Sequence, residues 1–228
     1  MHMVRVLLRS RESQGTLEKG SPWYRLLPMA IERTIWVIQH GETEWSRSGQ
    51  HTSRTDLPLL PQGRAEAAKL APLLAKYTFS AVWVSPRARA RETAELAGVG
   101  GRAEIVDDLQ EWDYGTYEGR TSAEIHQIDP HWNLWRDGGP GGESAADMTT
   151  RIDRVIARIE ATPGDVLLFS HGHASRVVAL RWLRWPLEHG AQLYFDTTSI
   201  ARLSIDRGRR VLSAWNERSH LSASPPQR

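Results

Sequence analysis

Apolar residues fall along this chain in short runs that switch between two periods. The first convincing run, residues 34–38, is rich in β-branched side chains and predicts a buried strand that ends directly on Gln39, His40 and Gly41. Residues 1–30 show no sustained periodicity and read as an N-terminal extension outside the core. Ala67, Leu70, Ala71 and Leu74 then recur at helical spacing within residues 61–77, with Pro72 expected to kink the helix. Residues 79–84 predict a second strand running into Ser85 and Pro86, and residues 87–97 a helix stopped at Gly98. A weak third strand is expected at 104–106. The clearest amphipathic stripe is Met148, Ile152, Val155, Ile156 and Ile159, in a helix predicted over 143–162. Residues 166–169 form a fourth strand that also ends on a histidine, in Ser170, His171 and Gly172, and 173–185 is again helical. Residues 200–205 and 210–215, joined across Asp206, Arg207 and Gly208, predict a hairpin, and 218–228 a flexible tail.

Strands that alternate with helices imply an α/β fold with three layers, α/β/α, around a mostly parallel central sheet. With no internal repeat or linker, residues 31–217 read as one domain. Residues 112–143 are glycine-rich and irregular, and a segment that long is expected to be a small lid insertion.

Composition narrows the chemistry. Among 228 residues, hydrophobic residues are 40% and charged residues 25%, as in an ordinary globular chain. Lys plus Arg number 29 against 27 for Asp plus Glu, so charge makes no case for nucleic acid as a partner. Lys occurs only at Lys19, Lys69 and Lys76; the other basic residues are arginines, whose planar guanidinium suits phosphate and carboxylate. The absence of cysteine excludes disulfides, zinc-thiolate sites and a Cys nucleophile. No stretch approaches the roughly 18 consecutive apolar residues of a membrane span, and Arg5, Arg9 and Arg11 interrupt anything resembling a secretory segment. No membrane partner is therefore expected, and a cytoplasmic location is the default.

Ligands of open α/β sheets bind beyond the carboxyl ends of strands. Three such ends carry His40, the turn from Ser85 to Arg89, and His171, each expected to lead into a helix whose free N–H groups favour an anion. A lone histidine is more often structural; two at corresponding strand ends with an arginine at a third point to a site.

At these positions stand QHGET (39–43), SPRARARETA (85–94), LQEWDYGTYEG (109–119) and SHGHASR (170–176), an order that resembles the histidine phosphatase, or phosphoglycerate mutase-like, superfamily over residues 33–217. EWSRSGQHTSRTDLPL (44–59) and WNLWRDG (132–138) resemble its branch of acid phosphatases and sedoheptulose-bisphosphatase-like enzymes. The resemblance implies His40 as the phosphorylated nucleophile, Arg89 as phosphate clamp, Glu111 as proton donor and His171 as the second phosphate-binding histidine. Gln39, Gly41, Ser46, Thr52 and Gly172 are implied as substrate-binding positions, with Ser46 replacing a common Asn and Ser53 a common Gly. No metal and no cofactor are implied, and the implied partner is a small phosphorylated metabolite such as a sugar phosphate or bisphosphate. Trp112, Trp132 and Trp135 are expected chiefly to pack, with a substrate pocket or a homodimer contact left open.

A neutral imidazole can attack phosphorus in line, and a carboxylic acid can protonate the leaving alkoxide and then activate water. The departure from the family pattern is Gln39, where an arginine usually precedes the nucleophile. Charge-assisted hydrogen bonds contribute about 1.5–3 kcal/mol against roughly 0.5–1.5 for neutral ones, which predicts a rate lower by about one to two decades. Arg47 or Arg54 is a candidate substitute. The alternatives to a slow phosphatase are a non-catalytic phospho-ligand module of the same fold and a phosphoglycerate mutase.

Overall fold

A computed structural model of the chain describes residues 31–222; the expected extension at 1–30 and the end of the expected tail, 223–228, lie outside the described residues. Six strands form one sheet: β1 (Ile31–Gln39), β2 (Ala81–Val84), β3 (Glu104–Ile105), β4 (Val166–Ser170), β5 (Ile200–Asp206) and β6 (Arg209–Glu217), in the order β3-β2-β4-β1-β5-β6. The first four run parallel, and the β5–β6 hairpin adds two antiparallel strands beyond β1. Helices flank the sheet, as the alternating pattern predicts.

Side chains of β1 alternate between two cores. Ile35 and Val37 pack with Val166 and Leu168 against Met148, Ile152 and Val155 of α7 (Ala145–Ala161) and Val177 and Val178 of α8 (Gly172–Leu183). Trp36 and Ile38 pack with Leu167 and Phe169 against Leu70, Leu74, Ala90 and Ala94. Both faces of β4 are thus covered, and all five of its residues are buried. Each such aliphatic side chain contributes about 1.5–3 kcal/mol on burial, which makes the strand ends rigid supports.

The helix expected over 61–77 is two helices, α2 (Pro61–Ala68) and α3 (Ala71–Leu74). Pro72 has no N–H to give to the carbonyl of Ala68, so the helix breaks instead of bending. α7 begins at Ala145, with Ser144 and Asp147 in a reciprocal capping box, while Glu143 turns away to pair with buried Arg151 at 2.7 Å. α8 ends at Arg184, whose φ of 59° turns the chain and leaves Trp185 45% exposed. Short helices α1 (Glu44–Ser48) and α4 (Ala88–Leu96) follow β1 and β2.

The lid is more ordered than its glycine content predicts. It holds α5 (Ser122–Ile128), capped by Thr121, and α6 (Leu134–Asp137), capped by Asn133. Trp112, Tyr114, Trp132 and Trp135 are buried in the larger core. Gly115 has φ 55°, and a Cβ there would stand 2.1 Å from the Pro140 carbonyl oxygen; one on Gly139 would stand 2.5 Å from that of Asp113. The glycines allow two backbone segments to touch, so here they give contact, not flexibility. Among the described residues no helix is long and apolar enough to cross a membrane.

Candidate active site

Strand register assembles the floor of the site. Gln39 pairs with Ser170 and Val84 with Phe169, so His40, Ser85 and His171 stand side by side just past three strand ends. The ladder carries into the site: His40 N–H donates to Ser170 O at 3.1 Å and Ser85 N–H to Phe169 O at 3.0 Å. The His40 and His171 ring centroids are 5.2 Å apart, close to the spacing of adjacent strands.

His40 Nδ1 lies 2.7 Å from the Gly41 carbonyl. A carbonyl only accepts, so Nδ1 carries the proton and Nε2 keeps its lone pair. Burial, helped by the charge of Arg89, pushes the His40 pKa down to about 3, so the ring is neutral at physiological pH. His171 Nε2 lies 2.7 Å from Ser85 Oγ, which also accepts the Arg87 N–H. The buried serine proton has His171 Nε2 as its acceptor, which leaves the His171 proton on Nδ1, a buried atom with no protein partner. Arg89 is completely buried and donates to the carbonyls of Thr52, Ser53 and Thr55 at 3.1–3.2 Å, while its Nε–H has no protein partner. Two unsatisfied buried donors beside a neutral imidazole suit an anion, since each costs about 1–3 kcal/mol while unpaired.

Glu111 enters from just before the lid and caps α8. Its Oε1 accepts from Trp112 N–H at 2.9 Å and Ala174 N–H at 2.8 Å, and its Oε2 from His173 N–H at 3.0 Å. Burial raises its pKa and outweighs these three amides and Arg89, which act in the other sense. The carboxyl therefore holds a proton to higher pH than an exposed glutamate. This cap changes one expectation: the N–H groups of His173 and Ala174 in α8 are taken by Glu111 and that of Ala88 in α4 by Asp56 Oδ1 at 2.8 Å, so these three amides are not free for an anion.

Above the floor opens a cleft of about 370 Å³ lined by Gln39, His40, Ser46, Thr52, Glu111 and Gly172, with His51, Tyr114, His173, Arg176 and Tyr194 among its other walls. Gly41 does not line it. Its N–H goes to Thr93 Oγ1 at 2.9 Å and its carbonyl to His40, so it positions the His40 ring, held so close to α2 that a Cβ would stand 2.7 Å from Gly63 O. Gln39 also departs from the expected role. In the orientation its neighbours satisfy, its amide donates to the carbonyls of Phe195 at 2.9 Å and Asp196 at 3.1 Å, spending the donors that were expected to face phosphate. Arg47 and Arg54 do not replace the missing charge: each is exposed and paired outward, Arg47 with Glu42 at 2.6 Å and Arg54 with Asp113 at 2.5 Å.

The cleft's unpaired cation is Arg176. It makes no ion pair or hydrogen bond among the described residues and reaches the cleft with Gly172 and His173, one helical turn away on the same face of α8. It stands in SHGHASR with no role implied by the resemblance, and its i to i+4 spacing from Gly172 is the signal the chain itself carries. Glu118, likewise unassigned, accepts from Ser53 and Thr55 N–H and so shapes the loop that holds Arg89. Among the described residues no group of three or more His, Cys, Asp or Glu is arranged to hold a metal ion.

Residues 35–218 match the family model described as histidine phosphatase superfamily, branch 1. The chain belongs to the histidine phosphatase superfamily. An acid phosphatase of Mycobacterium tuberculosis is 38% identical over 190 residues, covering 82% of this chain and 93% of that protein. Sedoheptulose 1,7-bisphosphatase of Saccharomyces cerevisiae is 35% identical over 188 residues, covering 68% and 69%. A solved structure of the Rv3214 protein of M. tuberculosis superposes with TM-score 0.77 over 81% of this chain and 97% of that one, at 38% identity. The α-ribazole phosphatase of Shigella flexneri superposes with TM-score 0.71 at 26% identity, over 81% and 96%. With such relatives this histidine phosphatase is a phosphoric monoester hydrolase.

Proposed function

We propose that this histidine phosphatase hydrolyses small phosphate esters through a phosphohistidine on His40, without a metal ion, and that its preferred esters carry a second anionic group. The observation that carries the reading is His40 itself: neutral, its Nδ1 proton committed to Gly41, its bare Nε2 at the floor of a cleft that Glu111 overhangs.

His40 Nε2 attacks phosphorus as the bond to the leaving oxygen breaks, and Glu111, protonated, gives that oxygen its proton. Of the two carboxyl oxygens, Oε2 has the spare capacity, since it accepts one amide where Oε1 accepts two. Arg89 Nε–H and His171 Nδ1–H hold the equatorial oxygens. The glutamate, now ionised, takes a proton from water as its oxygen attacks the phosphohistidine; phosphate leaves and His40 and Glu111 return to their starting states.

Arg176 supports the second anion. Arg176 lines the same cleft as His40, and the groups that act on its charge there are Glu111, Tyr114 and Tyr194. A guanidinium there, partly stripped of water and unpaired, suits the phosphate or carboxylate at the far end of an ester. A yeast relative is named for a sugar bisphosphate, which fits.

The test is phosphate release from p-nitrophenyl phosphate in the presence of a chelator. Turnover that disappears in His40→Ala supports the reading, and activity indifferent to that change ends it. Release from a sugar bisphosphate exceeding that from the matching monophosphate, with the advantage lost in Arg176→Gln, supports the second anion.

A further inference from the structure

Two imidazoles that the reaction does not use face the cleft with opposite hydrogen-bonding character. His51 Nδ1 lies 2.7 Å from the Arg120 carbonyl, so it carries the proton and Nε2 is an acceptor. His173 Nδ1 lies 2.7 Å from the Tyr114 hydroxyl. That phenol is buried and holds its proton well above the ordinary range, and among the described residues His173 is the hydrogen-bond partner of the hydroxyl. The phenol proton goes to Nδ1, which leaves the proton of neutral His173 on Nε2 as a donor. Burial keeps both rings below the ordinary histidine range, most strongly at His173.

The rings are within 8° of parallel, with centroids 5.9 Å apart. Both line the cleft beside His40 and an adjoining cavity of about 270 Å³ walled by His126, Trp132 and Trp135. The two spaces therefore meet at this pair, with Ser122 as their other shared wall.

We propose that His51 and His173 form a hydroxyl-reading subsite that selects phosphate esters of polyols. A hydroxyl is the group that answers both: it gives its proton to His51 Nε2 and accepts from His173 Nε2–H. A carbonyl or anionic oxygen meets the lone pair of His51, an ammonium meets the N–H of His173, and an alkyl chain leaves both without a partner. Sites built to pair with a hydroxyl reject analogues that lack it far more strongly than apolar pockets reject a change of size. The proposal rests on the phosphatase reading above and names the alcohol that reading would release.

The experiment compares erythritol 4-phosphate with n-butyl phosphate, esters of equal carbon length that differ in hydroxyls. Two quantities are measured: kcat/KM with the full chain, and Kd with the His40→Ala protein, where binding is read without turnover. The expected result is preference for the polyol ester in both, reduced about tenfold or more in His51→Phe and partly restored in His51→Gln, which returns an acceptor. Equal treatment of the two esters by the unmodified site, or a preference that His51→Phe leaves intact, overturns the proposal. No turnover of either ester with the preference present in Kd overturns the phosphatase reading while supporting the subsite.

Discussion

The floor of the site and its lid reach order by different routes. On the floor, His40, Ser85 and His171 are fixed by register between neighbouring strands, and the covering cores exclude water from both faces. In the lid, Tyr114 is held by close backbone contacts at Gly115, Gly139 and Gly142 and by buried tryptophans, while Glu111, just before it, is held by the amides of Trp112, His173 and Ala174. The floor sets protonation: it keeps His40 neutral and leaves Nε–H of Arg89 and Nδ1 of His171 without a protein partner. On the proposed reading, the nucleophile and the donors for phosphate stand at or just past strand ends, the acid Glu111 stands just before the lid, and the groups facing the rest of the ester stand on α8, as His173 and Arg176, and on the loop after α1, as His51.

Substitutions on the two sides should fail differently. The largest effect is expected on the floor, where His40→Ala should lower phosphate release by about 10³-fold or more, with thermal unfolding still cooperative. Glu111→Gln, beside the lid, should cost about 10²- to 10⁴-fold with alkyl phosphates and much less with p-nitrophenyl phosphate, whose leaving group needs no proton. Because burial raises the Glu111 pKa, alkyl ester hydrolysis should decline as pH rises through that value, and this alkaline limb should vanish in Glu111→Gln.

Gly115→Ala should cost roughly 2–4 kcal/mol in urea unfolding, because the new methyl meets backbone, whereas Gly49→Ala, also at positive φ but with open space around it, should cost about 1. Equal costs at the two glycines would remove the view of the lid as a contact-built element. Acid should test the floor. His40, with its pKa held at about 3 against 6.5 when unfolded, contributes no penalty above pH 6.5, and stability is lost as pH falls from 6.5 toward 3. His171 and His173 are shifted the same way, so unfolding free energy should fall by up to about 1.4 kcal/mol per pH unit for each imidazole. A melting temperature unchanged between pH 7 and 5 would contradict this. The smallest change is expected from Gln39→Arg, about a tenfold gain in rate, since an arginine can use the Phe195 and Asp196 carbonyls and still bring a charge. An equal or lower rate would show that Gln39 matters as a brace alone.

Much of this was legible in the chain itself. The order of strands and helices follows from apolar period, and the reactive residues stand where strand runs end, at His40, Ser85 and His171, so local pattern located them. The break at Pro72 and the start of α7 were set by single residues, a missing N–H and a cap, and were misplaced by only a few positions. The lid was misread because its order comes from backbone contacts between residues some 25 apart, which glycine composition does not reveal.

The sequence by itself determined which groups are present and which strand ends carry them, because hydrophobic period is a local property of the chain. Tertiary structure alone decided their hydrogen-bonding state: which nitrogen of His40, His51, His171 and His173 bears the proton, that Glu111 takes the His173 and Ala174 amides of α8, that Gln39 spends its donors on a turn, and that Arg176 reaches the cleft with no ion pair among the described residues. A proton's position depends on the acceptor opposite it and on the water excluded around it, and both are supplied by segments far away in the chain.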